Sequence, residues 1–263
     1  MKALSLSKKL LAGTLSIVLL ASGILVSPQR TYAAFAIAST NVSQCAACGT
    51  NTATIAITPS GANRGVIIVA SGTQGGIALS VDSVTVGGAA ATVAADSAGI
   101  AALGSTAEVW YYLNPSASSQ NVVVTWNNTF GVNGSFQVAV YAVTGMKQTS
   151  PVDNSDTVSG DTGTSIGTNL SMAIAAGAMA FVGFNDYNQV AVYDGTAGWT
   201  EDYAYTGGGD SQEQSAGHHL SAGATENPYA NRAAYTQVSA AMASFLSAPS
   251  TASATNVMMA SVF

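Results

Sequence analysis

Charge is scarce in this chain. Asp, Glu, Lys and Arg make up 8% of the 263 residues, with seven basic side chains against thirteen acidic ones. A surface so poor in cations cannot neutralise a run of phosphates, which excludes nucleic acids and anionic membranes as partners. Two cysteines are too few for a disulfide framework, and two histidines about 170 positions away argue against a zinc site with them. Helical stripes with capping residues are missing, and past residue 26 no apolar run is long enough to span a bilayer. Ala, Ser, Thr, Gly and Val dominate what is left. With 48% of residues hydrophobic, the chain has too much to bury for a disordered segment.

The first 36 residues read as a secretory signal peptide. Lys2, Lys8 and Lys9 precede the apolar stretch LLAGTLSIVLLASGILV (Leu10 to Val26), and Thr31-Tyr32-Ala33 and Ala34-Phe35-Ala36 both fit a small-x-small cleavage site. Gly13, Thr14, Ser16, Ser22 and Gly23 dilute the run, which favours cleavage over an uncleaved anchor. Lys2, Lys8, Lys9 and Arg30 leave with it. Arg64, Lys147 and Arg232 then stand against all thirteen carboxylates, three positive charges to thirteen negative, a net charge of −10. The expectation is a secreted, extracellular protein with no membrane span after cleavage, free or held at the cell surface.

In that compartment Cys45 and Cys48, in SQCAACGTN (43 to 51), read as a local disulfide. Gly49 follows Cys48 where haem attachment needs His. The two histidines stand far off for zinc, and no βαβ pattern surrounds the motif as a thioredoxin-like site would require.

Beyond residue 36 the apolar segments are short, alternating and bounded by Gly, Asn, Ser or Pro, which is the pattern of strands. TATIAIT (52 to 58), GVIIVAS (65 to 71), DSVTVGG (82 to 88), AEVWYYL (107 to 113), NVVVTWN (121 to 127) and SFQVAVYAV (135 to 143) form one series. NLSMAIA (169 to 175), AMAFVGF (178 to 184), AAMASFLS (240 to 247) and NVMMASVF (256 to 263) form another. Their order suggests two related halves, about 52–144 and 165–263, with Val122–Trp126 matched to Ala241–Phe245, Val138–Val143 to Val257–Val262, and 144–165 as the crossover. The fold class is therefore all-β: one antiparallel two-sheet β-sandwich over 37–263.

Three strings, VDSVTVGGAAATVAA, AEVWYYLNPSASSQNVVVTW and VAVYAVTGMKQTSPVD, resemble a jelly-roll-like β-sandwich domain common in secreted bacterial proteins. AGWTED (197 to 202) and ATNVMMASVF (254 to 263) are similar to its second half. The resemblance spans most of 37–263 and rests on turns and core aromatics. It implies the sandwich fold and an extracellular setting, and no catalytic residues.

Motifs with chemical potential are few. GTSIG (163 to 167) matches the G-x-S-x-G nucleophile elbow, but neither a buried strand before it nor a helix after it is in the pattern, so it reads as a turn. His218 and His219, adjacent on a strand, would point to opposite faces. Asp153, Asp156 and Asp161 cluster in the crossover and are candidate Ca²⁺ ligands. Asp194, Glu201, Asp202, Asp210 and Glu213 gather in the second half, where a glycosidase would need two of them facing across a cleft. The strongest candidate for a ligand surface is 184–210, where Tyr187, Tyr193, Trp199, Tyr203 and Tyr205 lie among Asn, Asp and Gln. Rings with a polar edge suit sugars. The expected function is non-enzymatic and structural or adhesive. Two finer alternatives stand beside it: binding of a surface polysaccharide through 184–210, or self-assembly of like subunits by addition of AFAIASTNV (34 to 42) to a neighbour's sheet edge.

Overall fold

Two segments set the layering of the molecule. Gly65–Gln74 and Gly134–Thr144 are buried at nearly every position. Successive side chains on a strand leave opposite faces, so both faces must be covered. The coordinates are a computed structural model that describes residues 33–97, 104–160, 165–166, 170–187, 191–193, 198–207, 212–232 and 237–250. Residues 1–32 of the expected signal segment lie outside them, and residues 33–36 lie inside, with Phe35 buried in the core.

The first half holds β1 (Ala36–Ala46), β2 (Thr52–Ile57), β3 (Gly65–Gln74), β4 (Val81–Val86), β5 (Ala89–Ala90), β6 (Thr92–Asp96), β7 (Ser105–Leu113), β8 (Gln120–Trp126) and β9 (Gly134–Thr144). The second holds β10 (Val152–Ser159), β11 (Ser165–Ile166), β12 (Met172–Ala173), β13 (Met179–Tyr187), β14 (Ala191–Tyr193), β15 (Thr200–Gly207), β16 (Gln212–Leu220), β17 (Thr225–Glu226), β18 (Ala230–Arg232) and β19 (Gln237–Phe245). All belong to one compact unit, Tyr32–Pro249. No helix occurs among the described residues.

The fold is all-β and antiparallel, as the sequence pattern indicates. One five-stranded sheet runs β1-β9-β3-β7-β6 and another β10-β19-β13-β16-β15, and these two face each other as a sandwich. Ile67, Val69, Val109, Tyr141 and Val143 of the first pack on Phe181, Ala241, Ala243 and Phe245 of the second. The outer face of the first sheet is covered by β2-β8-β4-β5, with Trp126, Phe130 and Phe136 in contact at its centre. Leu170, Met172 and Ile174 cover the outer face of the second.

The two large sheets match strand for strand and register for register. Gly65 at the head of β3 pairs with Val143 and Leu113; Met179 at the head of β13 pairs with Phe245 and Leu220. From that anchor Ile67 corresponds to Phe181, Tyr141 to Ala243 and Tyr111 to His218. The irregularities correspond too. β1 and β10 carry bulges between Ile37/Ser39 and Val152/Asn154, while β6 and β15 carry them between Val93/Ala95 and Glu201/Tyr203.

This register corrects three expectations. β19 takes the place of β9, so Ala241–Phe245 correspond to Ala139–Val143 rather than to Val122–Trp126, and NVMMASVF lies outside the described residues. Amphipathic strands of similar length carry too little information to fix which matches which. The stretch 144–165 contains β10, a polar edge strand without the apolar alternation of a half-buried one. AFAIASTNV is not a free arm: Ala36–Ala46 pair along β9 of their own chain. Just beyond, Cys45 and Cys48 form a disulfide, and Ala47 and Gly49 donate main-chain hydrogen bonds to Gly134 and Phe130, fastening the end of β1 to the β8–β9 turn.

Toward one end the sandwich interior turns polar. The Asn185 amide donates to Ser105 Oγ (2.8 Å) and the Gly72 carbonyl and accepts the Thr73 hydroxyl at Oδ1 (3.1 Å), and Gln214 Nε2 donates to Ser135 Oγ (2.8 Å). Ser239 Oγ donates to the Ser105 carbonyl at 3.0 Å. These directional contacts set how the two sheets align, which apolar packing alone does not. Gly183 lets them close: a Cβ there would stand 2.6 Å from Val69 Cγ1.

Candidate functional site at the β15 edge

The bulge in β15 turns Asp202 toward the sandwich interior, because an extra residue re-aims the side chains that follow it. Asp202 Oδ2 accepts the Tyr141 hydroxyl at 3.0 Å from the facing sheet and lies 2.8 Å from His218 Nδ1. The Tyr141 ring is fully buried, whereas the His218 and Asp202 side chains stay 23% and 14% exposed. A carboxylate facing Nδ1 calls for the proton there, so we assign that tautomer and leave Nε2 as an acceptor.

Tyrosines frame the pair. The Tyr203 ring lies 6.5 Å from that of Tyr141, and Tyr141 and Phe181 meet at 4.9 Å. Tyr205, opposite Gln214 on the same face, is half-buried, and partial burial raises its phenol above the ordinary value. Desolvation, and then the neighbouring Asp202 carboxylate, raise the Glu201 carboxyl. The cluster offers flat rings, one ring-nitrogen acceptor and carboxylate oxygens at a sheet edge.

The other candidates are dispersed. Trp199 lies on the opposite side of the second sheet, packed on the outer core and stacked on His219 at 5.5 Å and 26°. His219 Nδ1 is 2.7 Å from the Gly198 carbonyl and its Nε2 is 3.2 Å from Glu226. The two histidines thus face opposite ways, as strand alternation requires. Tyr187 and Tyr193 end β13 and β14, and their side chains lie outside the described part, as do Asp161, Asp194 and Asp210 and the side chain of Glu213. Asp153 accepts the Ala175 amide (2.8 Å) and Asp156 the Thr157 and Ser171 amides (2.9 and 2.8 Å), so both hold main chain in place. No three His, Cys, Asp or Glu gather to hold a metal among the described residues. Ser165 of the G-x-S-x-G match belongs to β11 and pairs with Asn231, so the expected turn is in part a strand.

Tyr141, Asp202 and His218 did not stand out as a trio in the sequence. Asp202 is 61 positions from Tyr141, and it reaches His218 through a bulge that leaves no mark in the residue pattern. No family model, curated protein or solved structure matches the chain. Among the described residues no helix is long and apolar enough to cross a membrane.

Proposed function

We propose that this is a non-catalytic extracellular β-sandwich that adheres to neutral surface polysaccharide through the β15 edge. The observation that carries the reading is the Asp202–His218 pair, still partly open to solvent and flanked on the same face by the half-buried rings of Tyr203 and Tyr205. Sugar C–H faces pack on such rings, and sugar hydroxyls donate to His218 Nε2 and to carboxylate oxygens. Anionic polymers are disfavoured by the thirteen acidic side chains. The signal-like N-terminal sequence supports the extracellular setting. We assign it no bond-breaking step.

The test is retention on a panel of immobilised neutral polysaccharides, with Tyr205→Ala beside the wild type. Retention of the wild type, weakened roughly tenfold in the variant at unchanged melting temperature, is expected from the loss of one ring contact. Failure of the wild type to bind any of the panel, or equal binding by the variant, overturns the reading.

A further inference from the structure

Each large sheet ends on a long edge strand, β1 in one and β10 in the other. Such an edge presents a row of outward N–H and C=O groups to which another strand can add. β1 is eleven residues, AIASTNVSQCA, without a charge or a proline to discourage pairing. We propose that Asn41, Asn154 and Asp156 close these edges against addition of a second copy of this chain.

The geometry is the same three times. Asn41 Oδ1 accepts the Val42 amide at 2.9 Å, Asn154 Oδ1 the Ser155 amide at 2.9 Å, and Asp156 Oδ1 the Thr157 amide at 2.9 Å. Each occupies a donor that an added strand would need. The far side of each head group binds the covering layer. Asn41 Nδ2 donates to the Ala56 carbonyl of β2 (2.9 Å), Asn154 Nδ2 donates to Ala173 of β12 (3.2 Å), and Asp156 Oδ2 accepts the Ser171 amide (2.8 Å). So held, the side chain cannot swing aside without breaking a second bond. Asn41 and Asp156 also stand at matching places, each two residues past the partner-strand step that follows the bulge, at Ser39 and Asn154. The arrangement therefore recurs in both halves, and it opposes assembly through β1 and β10.

Light scattering after size exclusion, over a hundredfold range of concentration, tests this. Wild type should remain monomeric, Asn41→Ala/Asn154→Ala/Asp156→Ala should associate, and Asn41→Asp/Asn154→Asp, which keeps the acceptors, should stay monomeric. A triple variant with unchanged circular dichroism that remains monomeric overturns the proposal, as does wild-type protein that forms fibres or sheets. If the triple variant does not fold, amide exchange in the wild type decides. Val42 should exchange roughly tenfold more slowly than the outward amides of Thr40 and Gln44 on the same strand; equal rates overturn the proposal.

Discussion

The two long sides of the sandwich share one backbone plan and carry opposite chemistry. At the β15 side the bulge residue is Asp202, the residue facing Thr200 is His218, and the opposing sheet supplies Tyr141. At the β6 side the same positions hold Ala94, Tyr111 and Ala243, and Tyr111 packs edge-on against Phe245 at 5.6 Å. One side is polar and partly open; the other is filled with hydrocarbon and aromatic ring. A bulge fixes where a side chain points and leaves its chemistry free. With the same geometry built twice, one copy can seal the core while the other holds a polar cluster.

The comparison can be broken first at the seam. Val69 and Gly183 stand at corresponding register positions in the two sheets and touch across the interface. Gly183→Val should cost about 3 kcal/mol or more through overpacking, and Val69→Ala combined with Gly183→Ala should cost less than the two single changes added together. Denaturant unfolding in a double-mutant cycle measures both.

A similar effect separates the halves by pH. Glu108, where the second half has Ser215, is buried and accepts the Val81 amide (2.7 Å), the Trp110 indole N–H (2.8 Å) and the Thr106 hydroxyl (3.3 Å). Burial outweighs those bonds and pushes its carboxyl from 4.5 up to about 7. The folded protein thus holds this proton more tightly than the unfolded chain does. The resulting stabilisation is complete below about pH 4.5 and is lost as pH rises through about 7, with a full range of about 3 kcal/mol. Thermal melts should show that slope in the wild type and a flatter profile in Glu108→Gln; parallel profiles would refute the assignment.

Asp202→Ala should cost about 2 kcal/mol, because it removes the carboxylate that accepts the Tyr141 hydroxyl and faces His218 Nδ1. The pair Asp202→Ala/His218→Tyr copies two of the three β6-side residues, and it should stay folded while losing polysaccharide retention. Tyr205→Ala should change melting temperature least of all.

Much of the architecture was legible in the residue pattern because it rests on apolar periodicity. GVIIVAS and SFQVAVYAV announced strands, and the Cys45–Cys48 disulfide followed from their spacing and the proposed compartment. The polar edge strand β10 stayed hidden because its side chains bind main chain rather than filling a core. Trp199 looked like a partner of Tyr203 and Tyr205, yet the bulge between Glu201 and Tyr203 and the packing of Trp199 on the outer core put them on different faces. The Asp202–His218–Tyr141 cluster was beyond reach for the same reason: strand alternation is readable in sequence, while an inserted residue and a facing sheet are not.

The most direct test is an NMR titration of the ¹⁵N-labelled protein with a soluble neutral oligosaccharide that the polysaccharide panel identifies. Amide shifts should concentrate at Asp202, Tyr203, Tyr205 and His218 and leave Thr92, Ala94 and Tyr111 unmoved. Shifts centred on the β6 side, or spread evenly over both, would contradict the assignment of the polar edge as the binding site.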